Sequence, residues 1–87
     1  MKSIFKYEVP VVDLFNLSLP PGYEVVHFGQ QNGEMYIWVL LNPALRQETV
    51  EFRLYGTGHI ISNPKDKEYI GTCINGEFVW HLFQLTK

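Results

Sequence analysis

Apolar and polar residues alternate along most of this chain, and two Asn-Gly dipeptides, Asn32-Gly33 and Asn75-Gly76, punctuate the alternation. A period of two marks a half-buried strand. Asn-Gly between two such runs is the strongest short-range hairpin signal, because a type I′ turn needs positive φ at both central residues. Tyr23–Gln31 with Glu34–Leu41 is therefore predicted as one hairpin, and Glu68–Ile74 with Glu77–Leu85 as a second. Ser3–Val12, Phe15–Leu19 and Thr49–Ile61 alternate in the same way and complete a set of about seven strands. Pro20-Pro21-Gly22 forces a turn, Asn42–Glu48 reads as a loop or a single helical turn, and Ser62–Glu68 as a surface loop. The expected class is all-β, a small two-layer β-sandwich or partly open barrel of antiparallel strands in a single domain. The alternative is α+β, with a short helix at Ala44–Glu48 entered through Pro43.

A two-residue turn pairs residues symmetrically outward, and directly opposed side chains share a face. In the first hairpin this puts Phe28, Met35, Ile37, Val26 and Val39 on one face, a core pattern. The other face pairs Gly29 with Tyr36, His27 with Trp38 and Val25 with Leu40. In the second hairpin one face pairs Cys73 with Phe78, Gly71 with Trp80 and Tyr69 with Leu82. The opposite face pairs Thr72 with Val79, Ile70 with His81 and Glu68 with Phe83. Each hairpin sets an aromatic across from a glycine, which lets the ring cover bare backbone.

A solvated second face should be polar, and that of the first hairpin is not. Two readings stand. Either the N-terminal strands or the Asn42–Glu48 loop cover it, or Val25, His27, Tyr36 and Trp38 form a patch that docks another chain, as contiguous exposed apolar surface does. Exposed sheet edges beside such a patch favour a symmetric homodimer with the first hairpin at its interface.

The segment Arg53-Leu54-Tyr55-Gly56-Thr57-Gly58-His59 offers a second candidate site. Alternation lines up Arg53, Tyr55, Thr57 and His59, which could grip an anionic or nucleotide-like ligand, while the glycines permit a bulge or close backbone approach. The alternative is a kinked strand with a solvated polar face. Gly-Thr-Gly lacks the spacing of a phosphate loop.

Composition narrows the remaining classes. Eighty-seven residues at 46% hydrophobic and 15% aromatic make one small domain that can build a core without staples. Cys73 is the lone cysteine, which excludes an intrachain disulfide and fits a reducing cytoplasm. Met1–Tyr7 lacks the apolar core of a signal peptide, and the longest apolar run, Met35–Leu41, is too short for a membrane span. A cytoplasmic protein with no membrane partner is expected. Net charge is −2, with the basic residues scattered, so duplex nucleic acid is a poor partner. His27, His59, His81 and Cys73 show none of the close-spaced pairs of a zinc site, and no cofactor is implied. Cys73 falls on a core face, unsuited to a reactive thiolate. With no GxSxG elbow or paired carboxylates, no catalytic residue is assigned and an enzyme is not expected.

Phe52–His59 resembles a family of small uncharacterised bacteriophage and prophage proteins that share the Tyr-Gly-Thr-Gly-His segment. The likeness extends to Lys6–Val9, the turn at Leu19–Gly22, the strand around Trp38 and the closing aromatic strand. It implies a phage setting, in which a compact acidic protein inhibits or redirects a host protein, such as a defence component, or sequesters a nucleotide-like signal.

Overall fold

The computed structural model describes residues 1–86, and their strands form two antiparallel sheets. In chain order the strands are β1 (Ser3–Glu8), β2 (Leu14–Leu19), β3 (Glu24–Gln31), β4 (Glu34–Leu41), β5 (Glu48–Gly56), β6 (Lys67–Asn75) and β7 (Phe78–Leu85). A front sheet has the order β1-β4-β3 and a back sheet the order β2-β5-β7-β6. The Cα atoms span 39 × 32 × 16 Å, a thin dimension suited to two layers about 10 Å apart. The fold is all-β, as the alternation requires. The α+β alternative fails, because Asn42 accepts from the Leu45 N–H and its side chain from the Ala44 N–H, closing a turn where a helix would start. The helical piece among the described residues is a single 3₁₀ turn at Pro64–Asp66.

The core lies between the sheets. Phe28, Met35, Ile37, Val39 and Leu41 come from the front; Phe15, Leu19, Val50, Phe52, Leu54, Cys73 and Leu82 come from the back. Phe52 is wholly buried and stacks on Phe15, centroids 5.2 Å apart and planes within 11°. The sheets pinch together at one corner, β3 against β6. A Cβ on Gly71 would sit 3.5 Å from Phe28 Cβ, so the glycine permits this approach. At the opposite side β1 and β2 are sheet edges, and the barrel does not close.

Four sequence expectations need correction. First, β1 stops at Glu8, not Val12; the chain bends through Val11–Asp13, where it crosses from the front sheet to the back. Second, β5 stops at Gly56, not Ile61, because Gly58 at φ 93° turns the chain and His59 N–H bonds back to the Gly56 carbonyl. Third, the Asn-Gly dipeptides make different turns. Asn32 and Gly33 have φ 55° and 84°, as type I′ demands, but in the second hairpin Asn75 pairs with Phe78 inside the strands. The second turn is Gly76-Glu77, with positive φ at Gly76 alone, the signature of type II′. Cys73 therefore faces Trp80, Thr72 faces His81 and Gly71 faces Leu82. Sliding one two-residue turn to the next shifts partners by two, so the faces of β7 survive the error. Trp80 meets a glycine after all, Gly56 of β5.

Fourth, each hairpin contains a β-bulge, at Val26 and at Ile70. A bulge adds a residue to one strand and inverts the alternation beyond it. Val25 thus pairs with Val39 and packs against the core, while Val26 is exposed. Tyr69 moves to the outer face opposite Phe83, and Ile70 packs against the core.

Candidate functional site

Neither outer face is purely polar. On the front sheet, Tyr36 and Trp38 of β4 project outward between His27 and Gly29 of β3 and Lys6 and Glu8 of β1. Ring centroids lie 5.4 Å apart for His27–Trp38 and 6.0 Å for Tyr36–Trp38. The His27 ring folds over Gly29, its Nε2 2.4 Å from where a Cβ would stand. It is therefore this histidine, not Tyr36, that covers the bare backbone. Lys6 Nζ sits 4.5 Å from the Tyr36 centroid and donates to Gln31 Oε1 at 3.1 Å.

β1, one of the elements expected to cover this face, lies in the sheet beside β4, and Asn42–Glu48 crosses to the back sheet. His27 is exposed and Tyr36 and Trp38 are half-buried, largely against one another. Glu8 opposite Tyr36, Glu24 opposite Leu40 and Glu34 opposite Gln31 give the patch an acidic rim. Of the four residues assigned to it from sequence, His27, Tyr36 and Trp38 come together and Val25 does not.

On the back sheet, Phe83 is packed edge-on by Tyr55 and Tyr69, with centroids 5.6 and 5.4 Å away. Beside these rings runs a hydrogen-bonded chain. Thr57 Oγ1 lies 2.8 Å from His81 Nε2, His81 Nδ1 lies 2.9 Å from Thr72 Oγ1, and Thr72 Oγ1 lies 2.5 Å from the Tyr69 hydroxyl. A neutral imidazole donates from one nitrogen and accepts at the other. Which hydroxyl of the chain keeps a proton to offer outward therefore depends on the imidazole tautomer. A shallow hollow of about 260 Å³ is lined by these rings, Thr57, His81, Ile61 and the Gly56–His59 turn.

The residues assigned from Arg53 to His59 separate. Arg53 pairs with Glu51 at 3.0 Å and does not line the hollow. Tyr55 and Thr57 reach it. His59 leaves the strand alternation and folds onto Gly56, its Nδ1 accepting the Gly56 N–H at 3.0 Å. Its ring still forms part of the wall. Sequence reasoning missed His81, Phe83, Tyr69 and Thr72. Alternation did place His81, Phe83 and Thr72 on one face, but the bulge at Ile70 hid Tyr69 from them.

Burial pushes the Cys73 thiol pKa up, which keeps it protonated and unreactive. Burial, and then the charge of Glu68, raise the Tyr23 phenol. Its hydroxyl bonds to Gln84 Oε1, and Gln84 Nε2 donates to Glu68 Oε1 at 3.0 Å. Among the described residues no three of His, Cys, Asp and Glu gather to hold a metal, and no helix is long and apolar enough to cross a membrane.

Compared with known proteins, the chain matches one family model, described as a domain of unknown function (DUF7352), over residues 1–87. No curated protein and no solved structure matches it.

Proposed function

The chain belongs to this family of unknown function, and on that premise we propose that it is a non-enzymatic binding domain that docks a partner protein through the outer face of its front sheet. The observation that carries this reading is the His27–Trp38–Tyr36 cluster on the outer face, where no other described strand covers it, with the His27 ring over Gly29 and Lys6 over Tyr36. Aromatic anchors inside a polar rim are the usual energetic centre of an interface. The rim carboxylates Glu8, Glu24 and Glu34 favour a partner whose contact surface is basic at its margin. The sequence resemblance adds a phage setting, a host protein as the partner, and inhibition or redirection as the outcome. The lone buried thiol of Cys73 fits the cytoplasm as the place where this happens.

The test immobilises the wild-type chain and the double variant Tyr36→Ser/Trp38→Ser and compares what each retains from a host extract. The reading expects one protein held by the wild type and lost by a double variant with an unchanged far-ultraviolet spectrum. Equal retention by both overturns it. Unfolding of the double variant would assign the two rings to stability.

A second reading is supported by the back-sheet hollow and its hydrogen-bonded chain, which suit a small heteroaromatic ligand. Arg53 is engaged by Glu51 away from the hollow, and among the described residues neither lysine nor arginine lines it. That favours a neutral base or nucleoside over a phosphorylated nucleotide as the nucleotide-like molecule. A thermal-shift panel of nucleobases, nucleosides and nucleotides separates the cases. A ligand at a hundred times its Kd stabilises by about 2.7 kcal/mol, and no shift across the panel rules the hollow out.

A further inference from the structure

The front sheet has two edges: β3 packs against β6 of the back sheet, and β1 pairs with β4 alone among the described residues. Proteins guard such edges with proline, bulges or charged side chains. Between Ser3 and Glu8 there is no proline, and the register with β4 is unbroken. The strand's one lysine is diverted, since Lys6 lies across the outer face on Tyr36 and Gln31. Ile4 and Phe5, on opposite faces, are 59% and 42% exposed.

The direction of the unpaired backbone follows from one bond. Val9 N–H donates to the Met35 carbonyl at 2.9 Å, extending the ladder past the end of β1. In an antiparallel ladder the N–H and C=O of one residue point to the same side, and the side alternates along the strand. Ser3, Phe5 and Tyr7 therefore spend theirs on β4, while Ile4, Lys6 and Glu8 turn theirs to the open edge.

We propose that this edge is a homodimer interface, in which β1 of a second copy adds antiparallel about a two-fold axis at Phe5, joining the two front sheets into one. In that register Ile4 lies opposite Lys6 of the second copy and Lys2 opposite Glu8 of the second copy. Each such pair exchanges main-chain bonds, and opposite charges meet across the strands. The two Phe5 rings lie side by side at the axis, on the core face. The neighbouring registers are worse. An axis at Ile4 sets Lys6 against Lys2 of the second copy. An axis at Lys6 sets the two Lys6 residues together and brings Pro10, which has no N–H, opposite Lys2. The interface thus moves from the first hairpin, where the sequence suggested it, to the strand beside it. The two aromatic patches would lie on one side of a single sheet, although the dimer does not depend on what those patches bind.

Sedimentation equilibrium of the wild type, Glu8→Lys and Lys2→Glu/Glu8→Lys tests the proposal. The wild type should be a dimer at micromolar concentration. Glu8→Lys sets Lys2 against a lysine twice and should weaken dimerisation about tenfold or more, and the charge swap should restore it to within about threefold of wild type. A wild type that stays monomeric at tens of micromolar overturns the proposal. So does a dimer unmoved by Glu8→Lys but dispersed by Tyr36→Ser/Trp38→Ser, which would put the contact on the aromatic face, or a swap that fails to restore association.

Discussion

The side-chain amide of Asn75 donates to the main-chain carbonyl of Gly33 at 3.0 Å, so the second Asn-Gly dipeptide is bonded to the first. The contact ties the two hairpin tips together where β3 and β6 approach. It also accounts for the turn chemistry, because Asn75 stays in the strand to reach Gly33 and the turn passes to Gly76-Glu77. Asn75→Ala should destabilise the fold by about 0.5–1.5 kcal/mol, the net worth of one exposed hydrogen bond. Urea unfolding measures this. No change in the midpoint would mean that the bond exchanges freely with water.

Gly29→Ala should leave stability within about 1 kcal/mol of wild type, because the atom its Cβ meets is the far end of the exposed His27 side chain, which can rotate away. The ring must swing away, which breaks its 5.4 Å contact with Trp38. In a Trp80→Phe background, Trp38 fluorescence should therefore change while the unfolding midpoint holds. The same variant should bind a front-face partner more weakly. In a His27→Ala background the added methyl should have no effect on Trp38.

Phe52→Ala should cost about 3–5 kcal/mol, the usual price of deleting a buried aromatic. Phe52 is 0% exposed and loses its stack on Phe15. Small domains hold only about 5–15 kcal/mol in reserve, so this variant should lose a large part of it and unfold at a much lower urea midpoint by circular dichroism. Tyr55→Ala, on the outer face, should stay folded.

Stability should fall at alkaline pH. Cys73 and Tyr23 both have pKa values raised by folding, so the native state holds their protons more tightly than the unfolded chain does. Their contribution is fully present below the ordinary thiol and phenol values of 9.0 and 10.0 and is lost as pH rises through the native values. Urea midpoints at pH 7, 9 and 10 should decline in that order. Cys73→Ala and Tyr23→Phe should each flatten the decline, and slopes identical to wild type would refute the assignment.

The part of the candidate sites legible in the sequence was the part set by local periodicity. Alternation in β4 put Tyr36 and Trp38 on one face, and alternation in β7 put His81 and Phe83 on another, because a strand's side chains alternate whatever lies beside it. Asn32-Gly33 likewise fixed its own turn, since positive φ at two successive residues is a local demand.

Only the tertiary structure decided what depends on a neighbour. The bulges at Val26 and Ile70 send Val25 and Ile70 to the core and Tyr69 outward, and they occur in the two strands that meet at the pinched corner, where Gly71 admits Phe28. Asn75 gave up its turn for a carbonyl that lies across the sandwich. β1 became the open edge of the front sheet by pairing with β4, a partner about thirty residues away in sequence whose identity no alternation encodes. Residues set their faces by the pleat, but which strand lies opposite, and where an extra residue is absorbed, is decided by long-range packing.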